Sequence, residues 1–201
     1  YCKVVYLERT KGISSTKIRN EHSVRLGIVG NEMILDRFLN EMKYVSGVEV
    51  AGAYAPKDDV DPRYKSVQFM QLPQYDSYDS LLNDVEAVYI NAPLKMRDDM
   101  IEKALIKGKH VLTEFPFSID YQRACRLIKN ASEKGLVLME GLKTAYCPAF
   151  GKMVSLVKSG RIGKVLSIEA NFTQILGNDL QNQIRIAGGS VASLGAYPLL
   201  V

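Results

Sequence analysis

The sequence is poor in the residues that build metal and disulfide chemistry. It holds only two histidines, His22 and His110, and three cysteines, Cys2, Cys125 and Cys147, none at metal-ligand spacing. An odd number of widely separated cysteines supplies no disulfide framework or zinc site, so reduced thiols in a cytoplasmic protein are the simplest expectation. No metal is expected. No apolar run approaches the roughly 20 residues needed to span a bilayer, and the N-terminal residues carry no signal-peptide pattern. The 26 basic and 22 acidic residues leave a net charge of +4 with no run of five like charges, which argues against a nucleic-acid partner.

What is present is ordinary globular material. At 201 residues, 47% hydrophobic and 24% charged, the chain can bury one complete core and part of a second. It starts at Tyr1 without a methionine and stops at Val201 after an apolar LLV, and so reads as a fragment at both ends.

From residue 24 short β-branched runs alternate with amphipathic stretches. The runs are VRLGIVG (24–30), VEVAGAYA (48–55), AVYINAP (87–93), HVLTEFP (110–116) and LVLMEG (136–141). Continuous apolarity is the pattern of parallel strands buried on both faces. Helical spacing of apolar residues predicts helices over 33–44, 99–107 and 121–134, with Gly108 placed to stop the second. This alternation predicts an α/β fold, a Rossmann-type doubly wound parallel sheet with right-handed crossovers. A further helix is expected over 149–159. VLSIEANFTQ (165–174) then alternates like a strand with one exposed face, so an α+β domain with an open sheet is expected to begin there. The expected boundaries are 1–23, 24–142 and 143–201.

The segment Arg9-Thr10-Lys11-Gly12-Ile13-Ser14-Ser15-Thr16-Lys17-Ile18 resembles the RTxGISTT signature near the C-terminus of glycerol-3-phosphate cytidylyltransferases. The resemblance implies that Arg9, Thr10, Gly12, Ile13, Ser14, Ser15 and Thr16 help hold the triphosphate of CTP. Hydroxyls and backbone N–H groups at a helix start, flanked by basic residues, suit an anion. A self-capping Ser/Thr helix start explains the same residues, and both readings stand. The HxGH half of that family is missing, so nucleotidyl transfer would require a part absent from this chain.

Residues 24–201 resemble the Gfo/Idh/MocA family of NAD(P)-dependent sugar oxidoreductases. The resemblance rests on LGIVG, on DVEAVYINAP followed by IEKALIKGKHVLTEFPFSID, on LVLMEG, on LVKSGRIGKVLSIEANF and on GGSVASLGAYPL. It implies an NAD(P) cofactor and a second domain that binds substrate and supports a homo-oligomer. The cofactor would meet Gly30, Asn31, Glu32, Ala92, Pro93, Glu114 and Pro116. Tyr197 and Glu114 would stand at the chemistry, although a Tyr in apolar surroundings also reads as core.

Several positions depart from the family. The turn G-x-G-x-x-G/A keeps Gly30 but has Glu32 and Leu35 at the later glycines. A carboxylate ~4 Å from a phosphate, at an effective dielectric of ~20, costs on the order of 4 kcal/mol, enough to remove a micromolar site. Asn31 and Glu32 equally read as the helix's own cap. The EKP motif appears as Glu114-Phe115-Pro116, TPN-x-x-H as Ala92-Pro93-Leu94-Lys95-Met96-Arg97, and DxGxH/Y as Ser193-Leu194-Gly195-Ala196-Tyr197. Tyr54-Ala55-Pro56-Lys57 lacks an acid for an NAD ribose; Lys57 could meet a 2′-phosphate. The expectation is an oxidoreductase-like domain with weak or lost hydride transfer. It would be fused behind a cytidylyltransferase and work on surface-polymer precursors such as a sugar, a polyol or a nucleotide-activated polyol. The rivals are an active NAD(P)-dependent oxidoreductase on a sugar or polyol, and cytidylyltransferase activity lodged in a missing N-terminal part.

Overall fold

A computed structural model of the chain describes residues 23–30, 34–56, 67–173 and 189–200. Five strands form one sheet: β1 (Val24–Gly30), β2 (Val48–Tyr54), β3 (Ala87–Asn91), β4 (His110–Thr113) and β5 (Leu138–Glu140). Their order is β2-β1-β3-β4-β5, and every pairing is parallel. The predicted doubly wound sheet is therefore observed.

The apolar runs explain the layering. Alternate residues of a strand face opposite sides, so a strand with helices on both sides must be apolar throughout. Val29, Val88 and Ile90 pack on one side with Leu81, Leu82, Ile101, Leu105 and Leu127. Leu26, Ile28 and Tyr89 pack on the other with Leu35, Leu39 and Phe69. The helices supplying these residues are α1 (Ile34–Met42), α2 (Val67–Gln71), α3 (Tyr78–Asp84), α4 (Leu94–Ile106) and α5 (Tyr121–Glu133). Ser77 caps α3 through a reciprocal pair with Ser80, and Asp120 caps α5 by accepting from the Arg123 N–H at 2.9 Å.

Helix α4 starts at Leu94, five residues before the predicted start at 99, because Pro93 opens it from the N-cap position. Pro148 likewise opens α6 (Pro148–Lys158), close to the expected 149–159. The expected strand in 165–174 is not formed over its described residues, 165–173. Leu166, Ile168 and Phe172 are exposed there, and no described strand lies alongside to pair with. Two short helices, α7 (Gly189–Leu194) and α8 (Ala196–Leu199), follow. Cys125 and Cys147 are free and exposed. No described helix is long and apolar enough to cross a membrane, and no described cluster of His, Cys, Asp and Glu could hold a metal ion.

Candidate functional site

The chain runs from β1 outward to β2, then crosses back to place β3 on the other side of β1. Between β1 and β3 the connections diverge, and the carboxyl ends of strands at such a point are where α/β folds bind ligands in a crevice. There Gly30 of β1 is paired in register with Asn91 of β3. Gly30 has φ +134°, and a Cβ there would stand 2.0 Å from the Asn91 carbonyl oxygen. Only glycine fits both that backbone and that contact. Asn31 and Glu32, the residues whose rival readings matter most, lie outside the described residues, as does Lys57.

Beyond Asn91, the buried Ala92 and Pro93 lead into α4. Arg97, only 7% exposed, turns back from the first turn of that helix. Its Nε and Nη2 donate to the Ala92 carbonyl at 3.0 and 2.7 Å. Its Nη1 donates to the carbonyls of Glu114 and Pro116 at 3.0 and 2.6 Å. One planar guanidinium thus ties the segment after β3 to the segment after β4, a fork geometry that lysine cannot reproduce.

The Glu114-Phe115-Pro116 segment is fixed from several directions. The Glu114 N–H donates to the Ile90 carbonyl at 3.2 Å, and the Phe115–Pro116 peptide is cis. The buried Tyr89 hydroxyl donates to Glu114 Oε1 at 2.5 Å, while the Phe117 N–H donates to Glu140 Oε1 at 2.7 Å. Phe115 meets Tyr197 edge to face with ring centroids 5.0 Å apart. Tyr197 in turn stacks on Phe172 at 4.2 Å. Burial, and secondarily the Glu114 charge, holds the Tyr197 phenol above its ordinary pKa.

Gly30 closes β1, Ala92 and Pro93 follow β3, and Glu114 and Pro116 follow β4, while Tyr197, in the helix Ala196–Leu199, reaches this segment through its contact with Phe115. Arg9, Thr10, Gly12, Ile13, Ser14, Ser15 and Thr16 lie outside the described residues. Sequence reasoning noted Arg97 only as a departure from a pattern and did not foresee its fork. It passed over Asn91, Tyr89 and Glu140 entirely. Asn91 had a signal, being a lone amide in an apolar strand. A separate open groove of about 650 Å³, lined by Lys143, Thr144, Cys147, Ala149, Phe150 and Met153, contains none of the predicted site residues.

The model of the Gfo/Idh/MocA oxidoreductase family, NAD-binding Rossmann fold, matches residues 24–142. The chain is 31% identical over 185 residues to the dTDP-3,4-didehydro-2,6-dideoxy-alpha-D-glucose 3-reductase of Actinomadura kijaniata, covering 90% of this chain and 55% of that protein. It is 28% identical over 193 residues to the scyllo-inositol 2-dehydrogenase (NADP(+)) IolU of Bacillus subtilis, covering 87% and 56%. Among solved structures it resembles KijD10, a 3-ketoreductase from Actinomadura kijaniata in complex with NADP and TDP-benzene. There the TM-score is 0.73 and the identity 30%, over 88% of this chain and 55% of that one. The chain thus spans about half the length of the curated relatives it matches.

Proposed function

The chain belongs to the Gfo/Idh/MocA oxidoreductase family, and from that premise we propose that it is the dinucleotide-binding half of an oxidoreductase-like protein with weak or lost hydride transfer. The small molecule handled is a sugar, a polyol or a nucleotide-activated polyol. Relatives named for a dTDP-sugar and for an inositol support that class. Residues 24–142 form the Rossmann-type domain, 143–201 begin the substrate and oligomerisation domain, and 1–23 are the remnant of a cytidylyltransferase. That last assignment rests on the RTKGISST stretch alone and carries the link to surface-polymer precursors.

The crevice suits a dinucleotide at its floor. Gly30 lets β1 and β3 close on each other without a side chain at the strand end, and Asn91 beside it offers a buried amide N–H without a partner among the described residues. When bound, NAD(P) would supply or accept the hydride; Gly30, Ala92, Pro93, Glu114 and Pro116 would hold it. The single observation that carries the loss of chemistry is Phe115. Its ring neither donates nor accepts a proton, and it is packed against Tyr197 where the family's lysine would orient the substrate. Glu32, if it faces the pyrophosphate, weakens binding as well.

A second reading has one observation in its favour. Tyr197 is a phenol kept protonated beside Glu114, so it could donate a proton to a substrate oxygen and sustain an active NAD(P)-dependent oxidoreductase on a sugar or polyol. Calorimetric titration with NAD(H) and NADP(H), followed by turnover assays with dTDP-keto sugars and free polyols, separates the two. The degenerate-site reading expects weak dinucleotide binding without turnover. Tight binding with turnover by the wild-type chain overturns it.

A further inference from the structure

Two buried side-chain atoms lack a hydrogen-bond partner among the described residues: Oδ1 of Asp98 and Nδ2 of Asn91. Asp98 belongs to a local charge network, since its other oxygen accepts from the Ser118 hydroxyl at 3.2 Å and stands 3.8 Å from Arg123 Nε. Asn91 has no such setting. It is only 2% exposed, and an amide N–H withdrawn from water without an acceptor destabilises the ligand-free fold.

Its position explains what the amide is for. Asn91 is the last residue of β3, opposite Gly30 at the point where the chain reverses its direction of winding. A Cβ on Gly30 would lie 3.3 Å from the Asn91 Cβ, so the two residues adjoin at the carboxyl ends of β1 and β3. In a fold of this kind the pyrophosphate sits above the first strand-to-helix turn, and the neighbouring strand is only about 4.8 Å away. A carboxamide N–H on that neighbouring strand end is a donor suited to phosphate and ribose oxygens.

We propose that Asn91 is a ligand-binding residue, its carboxamide N–H donating to a phosphate or ribose oxygen of a dinucleotide lying across the carboxyl ends of β1 and β3. This rests on the reading above that the crevice takes a dinucleotide. The side chain is then left unpaired in the free protein and satisfied in the complex, so ligand affinity is gained at the expense of ligand-free stability.

The test uses the full chain as wild type, Asn91→Ala and Asn91→Asp, with NAD+ and NADP+ titrated by calorimetry and the ligand-free proteins melted in parallel. Asn91→Ala weakens binding about tenfold while the ligand-free Tm holds or rises, the effect expected from losing one hydrogen bond to a charged or polar acceptor. Asn91→Asp weakens it further, because an anion then faces the phosphates. Affinities within twofold of wild type overturn the proposal. So does a loss of affinity that appears only together with a lower ligand-free Tm in both variants, which marks a structural residue. If the wild type binds neither dinucleotide, the reading of the crevice fails and the proposal with it, a result distinct from wild-type binding that the variants leave unchanged.

Discussion

Replacing Arg97 by methionine tests whether one guanidinium holds the loops of the site. The substitution keeps an unbranched stem but deletes four N–H to O contacts on three carbonyls, those of Ala92, Glu114 and Pro116. Hydrogen bonds from a charged donor contribute about 1.5–3 kcal/mol each. Burial of the cation offsets part of that gain, and water can reach the carbonyls of the less buried Glu114 and Pro116. The acceptor on Ala92, a residue 1% exposed, is the one left most nearly unpaired. A net loss of about 3 kcal/mol follows, equivalent to a fall in Tm of roughly 6–12 °C for a chain of this size. Urea denaturation followed by circular dichroism measures the total. Hydrogen exchange at the Glu114 and Phe117 amides locates it, since both donate within the clamped segment. Arg97→Lys should recover less than half of the loss, because an ammonium cannot reach three carbonyls in one plane. A loss below about 1 kcal/mol, or unchanged exchange at those two amides, would refute the clamp.

Other expectations follow from single contacts. Gly30→Ala forces a Cβ to within 2.0 Å of a carbonyl at φ +134°, so it should cost about 3 kcal/mol or more, or prevent soluble expression. Burial pushes the Tyr78 phenol well above its usual range. The stability it contributes is therefore complete below the unfolded pKa of about 10 and declines as pH rises beyond it. Tyr78→Phe should flatten that alkaline decline in denaturation midpoints measured from pH ~8 to ~11, while losing about 1 kcal/mol from its 3.0 Å bond to the Met100 carbonyl. Asp79 is held below its ordinary pKa by hydrogen bonds from Lys103 and then Lys107. Its contribution is present above the unfolded value and lost as pH falls, so Asp79→Asn should matter little at acid pH or in high salt, as titrated melts would show.

The sheet was legible in the sequence because β1 and β3 are buried along most of their length, which demands apolar runs, and the half-buried edge strands β2 and β5 are still largely apolar. The short helices α2 and α3 escaped notice, since five and seven residues hold too little periodicity to register. The start of α4 was missed because Leu94 to Arg97 was read as a departure from a ligand motif and not as the helix it opens. VLSIEANFTQ shows the opposite limit. Alternation specifies a strand only when a neighbouring strand completes its hydrogen bonds, and none of the described strands lies beside 165–173. Glu114, Pro116 and Tyr197 could be singled out in the sequence because they sit in segments that resemble family motifs. The Arg97 fork depends on carbonyls brought together by the fold, and the Asn91 amide is notable for its burial beside Gly30, neither of which spacing along one chain records.

The central claim is that Phe115 marks the loss of hydride transfer. The most direct measurement is NADPH consumption with a dTDP-keto sugar by wild type and Phe115→Lys, side by side at saturating cofactor. A restored proton donor and substrate anchor should raise the rate by about a hundredfold over a wild type near background. A wild type that turns over as fast as Phe115→Lys would contradict the account.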